Sequence, residues 1–110
     1  MTPTLVANKH KLAPGWESSP IYKYIGRGSK LGNRYSHMSG TKAEFKVDTR
    51  AEAITCCEAD FRYRLKHGDA ELRQEILACK GKILVCFCSP MPCHGSVIIR
   101  LIENIERGLI

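Results

Sequence analysis

A chain of 110 residues with a formal net charge of +6 and six cysteines builds one hydrophobic core and has room for one pocket. No apolar stretch approaches the roughly 18 residues that span a membrane, and the first thirteen residues lack the charged start and apolar segment of an export signal. A cytoplasmic protein is therefore expected, its cysteines kept as thiols or metal ligands rather than as a disulfide framework.

Residues 4–8 are an apolar run that turns polar, the pattern of a first strand, and residues 13–20 are a loop rich in Pro, Gly and Ser. Aromatic and β-branched residues over 22–25 stop at Gly26 and read as a second strand. No strong period runs through residues 36–46, although residues 44–47 suit a short edge strand. Thr49 with Glu52 three positions later forms a capping box, and Ile54, Cys57, Phe61 and Leu65 continue at helical spacing until Gly68. Asp69 can cap a shorter helix carrying Leu72, Ile76 and Leu77, which ends before Gly81. The apolar run at 82–88 reads as a buried strand, and Val97, Ile98, Leu101, Ile102 and Ile105 mark a last helix. Strands separated by helices predict an α/β fold: one domain over residues 1–110, with a small, mostly parallel or mixed sheet flanked by about three helices in a Rossmann-like sandwich.

Two segments carry chemistry. The first is Gly26-Arg27-Gly28-Ser29-Lys30-Leu31-Gly32-Asn33-Arg34, where glycines free backbone N–H groups to face a ligand, Ser29 and Asn33 add neutral hydrogen bonds, and Arg27, Lys30 and Arg34 add charge. The combination suits a phosphate or carboxylate. It lacks the Gly-Lys-Ser/Thr ending of a Walker loop, and no helical period follows it as a dinucleotide fingerprint requires. Charge placement agrees with an anion site: residues 1–46 carry eight Lys and Arg against Glu17 and Glu44, whereas the remainder balances nine against nine. The bland alternative is a glycine-rich surface turn with solvated basic decoration.

The second segment, Cys86-Phe87-Cys88-Ser89-Pro90-Met91-Pro92-Cys93-His94-Gly95, joins the last strand to the last helix through two prolines. Cys86, Cys88, Cys93 and His94 are four possible zinc ligands, yet structural zinc sites pair two separated clusters and this chain has one, with Cys86 inside an apolar run. No metal and no cofactor are expected. At a helix start, Cys93 can act as a nucleophile and His94 as a general acid/base or phosphate donor, with Gly95 and Ser96 presenting backbone donors. The structural alternative has the prolines setting a rigid turn and His94 bonded to a loop carbonyl. Elsewhere, Cys56, Cys57 and Cys79 read as core or surface thiols, His37 can line a pocket or sit in solvent, and Arg62, Arg64 and Lys66 form a solvated helix face.

Taken together, Asn8-Lys9, Tyr24-Ile25-Gly26-Arg27-Gly28-Ser29 with Leu31-Gly32-Asn33, and Val85-Cys86-Phe87-Cys88 with Pro90, Pro92 and Cys93-His94-Gly95 resemble the domain-of-unknown-function family numbered 4326 over nearly the whole chain. That family is small and occurs in bacteria and especially in bacteriophage genomes, so the resemblance implies that the two segments belong to one site without naming an activity. Arg34 stands where the family commonly has Pro, and Ser96 where it commonly has Asp. The missing carboxylate at 96 removes an acid/base group, though Ser still caps a helix.

The expectation is a domain that binds an anionic small molecule, best matched by a nucleotide or nucleotide derivative. Gly26, Arg27, Gly28, Ser29, Lys30, Gly32, Asn33, Gly95 and Ser96 would hold it, with Cys93 and His94 at the reacting end. The alternative is a non-catalytic, phage-type accessory protein that binds nucleic acid or an acidic host protein through the basic amino-terminal half. Trp16 and the tyrosines are scattered, which disfavours base-stacking recognition of single strands.

Overall fold

The computed structural model describes residues 3–38, 44–86 and 93–110. Strands β1 (Leu5–Asn8) and β2 (Tyr22–Tyr24) are joined by two single-turn 3-10 helices, Lys9–Lys11 and Trp16–Ser18. Two very short strands follow, β3 (Tyr35–Ser36) and β4 (Phe45–Lys46), then helices α1 (Arg50–Lys66) and α2 (Ala70–Leu77). Strand β5 (Ile83–Cys86) and helix α3 (Gly95–Glu106) complete the order. Phe87, Cys88 and the Pro90 and Pro92 turn lie outside the described residues, as does Lys42.

The expected α/β architecture is present. β5 is the middle strand of a three-stranded parallel sheet ordered β1-β5-β2, with Val6 opposite Leu84 and Tyr24 opposite Val85. β3 and β4 pair in parallel as a separate ribbon, which Tyr35 stacked on Phe45 at 5.0 Å reinforces. Because all three strands of the main sheet run the same way, their carboxyl ends, Asn8, Cys86 and Tyr24, share one edge. That edge is where parallel α/β sheets place ligands.

Local signals explain the helices. Thr49 caps α1 by accepting the Glu52 N–H at 3.1 Å, and Asp69 caps α2 by accepting the Leu72 N–H at 3.0 Å. That bond and the nearby Arg64 guanidinium outweigh partial desolvation and hold the Asp69 carboxyl below its ordinary pKa. Ala53, Cys57, Phe61 and Leu65 face inward from α1, Leu72 and Ile76 from α2, and Val97, Ile98, Leu101 and Ile102 from α3. They meet Leu84 and Cys86, which point to the same face of β5, in one continuous core. Tyr22 shares the opposite face with Val85 and meets the edge of the Trp16 ring at 6.2 Å.

One close approach fixes how α3 docks on the sheet. A methyl group on Gly95 would come within 2.8 Å of Val6 Cγ2, so the first turn of α3 lies on β1 only because residue 95 has no side chain.

Candidate functional site

A cavity of about 260 Å³ opens at the carboxyl edge of the main sheet. Its floor is formed by Cys86 at the end of β5 and by Cys93 and His94 at the start of α3. Gly26, Arg27 and Asn33 come from the loop after β2, Tyr35 and Ser36 from β3, and Arg50, Ala53 and Ile54 from the first turns of α1. His37 and Met38 complete the described lining. Residues of both chemistry-bearing segments, which begin at Gly26 and at Cys86, therefore line one cavity.

His94 is the hinge of this arrangement. It is 7% exposed, and its Nε2 lies 2.7 Å from the Ile25 carbonyl oxygen. A carbonyl only accepts, so Nε2 carries the ring proton and Nδ1 holds the lone pair in the neutral ring. Burial pushes the His94 pKa below its ordinary value of 6.5; the Ile25 and Leu31 carbonyls oppose that shift, and the Arg27 charge adds to it. A neutral imidazole with a committed tautomer is a proton acceptor at neutral pH.

Cys93 is as enclosed, at 6% exposure. Its Sγ accepts the Gly95 N–H at 3.3 Å and lies 3.3 Å from Cys86 Sγ. Ser96 donates its hydroxyl to the Cys93 carbonyl at 3.0 Å and points away from the cavity lining.

The basic residues of the glycine-rich loop separate into distinct environments. Lys30 is ion-paired with Glu71 on α2, and that partner raises its pKa. Arg34 holds Asp60 on α1 with two contacts, Nη2 to Oδ1 at 2.6 Å and Nε to Oδ2 at 3.1 Å. Arg27 instead lines the cavity. Its Nη2 donates to the Tyr35 carbonyl at 3.0 Å, while its Nε is buried and has no hydrogen-bond partner among the described residues. A guanidinium N–H so placed beside a cavity needs an acceptor that the described residues do not supply.

The neutral loop residues are scaffolding. Asn33 braces the wall, donating from Nδ2 to the Ala53 carbonyl at 3.0 Å and accepting the Tyr35 N–H at 2.9 Å. Ser29 donates to the Gly26 carbonyl at 2.6 Å and closes the turn, in which exposed Gly28 takes a positive φ of 94°. Gly28, Ser29, Lys30, Gly32, Gly95 and Ser96 are not among the cavity-lining residues.

Arg50 was not signalled by the sequence as a site residue. It is the first residue of α1, half-buried, and its side chain makes no ion pair or hydrogen bond among the described residues. Its position directly after the Thr49 cap was legible, but its direction was not. Tyr35, Ser36, Met38, Ala53 and Ile54 were equally hidden, whereas His37 takes the pocket-lining place open to it. No carboxylate is present among the described lining residues, so Arg27 and Arg50 create an uncompensated positive field. No group of three or more His, Cys, Asp or Glu able to hold a metal occurs among the described residues; Cys88 lies outside them.

Fold and site together define a small parallel α/β domain with a cationic cavity at the carboxyl edge of its sheet. The chain belongs to the family described as Domain of unknown function (DUF4326), which matches residues 7–104. It is similar to the "Uncharacterized 12.4 kDa protein in nrdA-td intergenic region" of Enterobacteria phage T4, with 26% identity over 102 residues, 78% of this chain and 88% of that protein. It is also similar to "Uncharacterized protein R718" of Acanthamoeba polyphaga mimivirus, with 29% identity over 92 residues, 76% of this chain and 68% of that protein. No solved structure matches the chain. No helix among the described residues is long and apolar enough to cross a membrane.

Proposed function

We propose that the protein binds an anionic small molecule, a nucleotide or nucleotide derivative, in the cavity between the loop after β2 and the start of α3. The observation that carries this reading is the buried Arg27 Nε, which has no partner among the described residues, in a cavity that Arg50 also lines and no described carboxylate balances. Two guanidinium groups from different elements suit a phosphate group. Ile54, Ala53, Met38 and the Tyr35 ring give the same cavity an apolar side for a planar base. A volume of about 260 Å³ lies at the small end of ligand pockets, which matches a mononucleotide better than a dinucleotide. His94 as proton acceptor and Cys93 as nucleophile are the groups positioned to process such a ligand at its reacting end. The setting is the cytoplasm, that of the host where the gene is carried by a phage.

Binding of nucleic acid or an acidic host protein through the basic amino-terminal half draws less support. Lys23, Lys30 and Arg34 are ion-paired within the chain, to Glu75, Glu71, and Asp60 with Glu44. Titration calorimetry and thermal shift with nucleoside mono-, di- and triphosphates, inorganic phosphate and short DNA and RNA separate the two. The expected result is a raised melting temperature with mononucleotides by mass action. Binding confined to nucleic acid, falling steeply with salt, overturns the cavity reading.

A further inference from the structure

We infer that Cys86 and Cys93 form a redox-active dithiol at the floor of the cavity, a thiol–disulfide exchange site whose substrates are small disulfides entering through that cavity. This activity goes beyond anion binding and does not depend on it.

The two sulfurs lie 3.3 Å apart, one carried by the end of the central strand β5 and the other by the residue two before α3. Each residue is nearly inaccessible from the outer surface, at 2% and 6%, yet both line the cavity. A reagent small enough to enter the cavity therefore meets both thiols at once. The remaining described cysteines differ. Burial pushes the Cys57 thiol up to about 12 and the Cys79 thiol up to about 11, Cys79 donates to the Glu75 carbonyl at 3.4 Å, and neither lines the cavity. Cys56 is half-buried on α1, also away from the lining.

The surroundings assign the roles. The Gly95 N–H donates to Cys93 Sγ at 3.3 Å, and a hydrogen bond from a helix start stabilises negative charge on that sulfur. Cys93 is therefore the attacking thiolate and Cys86 the resolving thiol. Cys93 sulfur attacks one sulfur of the incoming disulfide, that S–S bond breaks, and the first small thiolate leaves and takes up a proton. Cys86, losing its proton, then attacks the Cys93 sulfur of the mixed disulfide, and the second small thiol departs. Two protein thiols are oxidised to one disulfide while one small disulfide is reduced to two thiols. Arg27 and Arg50 favour an anionic reagent, and the cavity admits only a small one, which makes dithiodiglycolate a suitable probe.

The test is incubation of the reduced full chain with dithiodiglycolate, followed by intact mass and a peptide map. The expected product is lighter by two hydrogens, with Cys86 linked to Cys93, and reverts with dithiothreitol. Cys57 and Cys79 stay unmodified in the folded protein. Cys86→Ala should instead accumulate one carboxymethylthio group on Cys93, and Cys93→Ala should take up none at Cys86. An unchanged mass for the wild-type chain, a link through Cys88 in place of the Cys86–Cys93 pair, or a carboxymethylthio group on Cys86 in the Cys93→Ala variant overturns the inference. The wild-type map decides the matter even if a variant fails to fold. Nucleotide binding is no part of this readout, so a failure of the anion reading leaves the result intact.

Discussion

His94 Nε2 and the Ile25 carbonyl oxygen, 2.7 Å apart, tie the start of α3 to the end of β2, and through that bond the sequence-distant halves of the site are held together. The bond makes His94 both a strut and an oriented imidazole. Its carbonyl acceptor fixes the proton on Nε2, so the strut and the free lone pair on Nδ1 are two consequences of one contact.

The burial of His94 predicts a pH dependence of stability. In the unfolded chain the ring takes up a proton near 6.5, whereas in the folded protein burial depresses that value. On acidification the unfolded state therefore binds more protons, so the contribution is complete above about pH 6.5 and is lost as pH falls below it. Urea unfolding at pH 7.5 and 5.5 should show the wild type weaker at the lower pH. His94→Gln, which retains an N–H donor for Ile25, should flatten that difference. Equal slopes in the two proteins would show that His94 is not the titrating group.

Arg27 and Arg50 should separate binding from folding in different proportions. Arg50 has no side-chain hydrogen bond or ion pair among the described residues, so Arg50→Ala should leave stability within about 0.5 kcal/mol of wild type and weaken nucleotide binding at least tenfold. Arg27→Ala should weaken binding further and also cost about 1 kcal/mol, because it removes the bond to the Tyr35 carbonyl. Calorimetry beside chemical denaturation checks both. Unchanged affinity in both variants would remove the anion site.

Arg34 should behave in the opposite way. Its two contacts hold an Asp60 carboxylate that is only 8% exposed, with Arg64 the second cation at 3.6 Å. The Arg34 head is partly solvated, so Arg34→Leu should cost about 1–2 kcal/mol, less than a fully buried pair, with nucleotide affinity unchanged. A loss of affinity without a loss of stability would return Arg34 to the binding loop.

Gly95 is required by packing against β1. Gly95→Ala should destabilise by about 1–3 kcal/mol through the 2.8 Å approach to Val6 Cγ2. Val6→Ala in the same chain should recover part of that cost by making room, giving a double-mutant cycle of favourable coupling. Additive losses would mean that the glycine answers to something other than Val6.

What the sequence determined by itself was local. The Thr49 cap with Glu52, the Asp69 cap, the inward spacing of Cys57, Phe61 and Leu65, and the apolar run ending at Cys86 are decided by neighbours within four residues. They suffice for an α/β order in which a glycine-rich loop and a Cys-His segment each follow a strand. Residues 44–47 were legible as a short edge strand, whereas Tyr35–Ser36 and its pairing with Phe45–Lys46 escaped, since a two-residue strand carries no period and is made by pairing. Only the tertiary structure decided which charges face the cavity. Arg27, Lys30 and Arg34 look alike along the chain, but Lys30 meets Glu71, Arg34 meets Asp60, and Arg27 meets the cavity. The same holds for Cys86 and Cys93, whose contact depends on where α3 docks, and that in turn on Gly95 lying against Val6. Ion pairing is fixed by distances across the fold, and separations of 26 and 41 residues between Arg34 and Asp60 and between Lys30 and Glu71 leave no pattern in the order of the side chains.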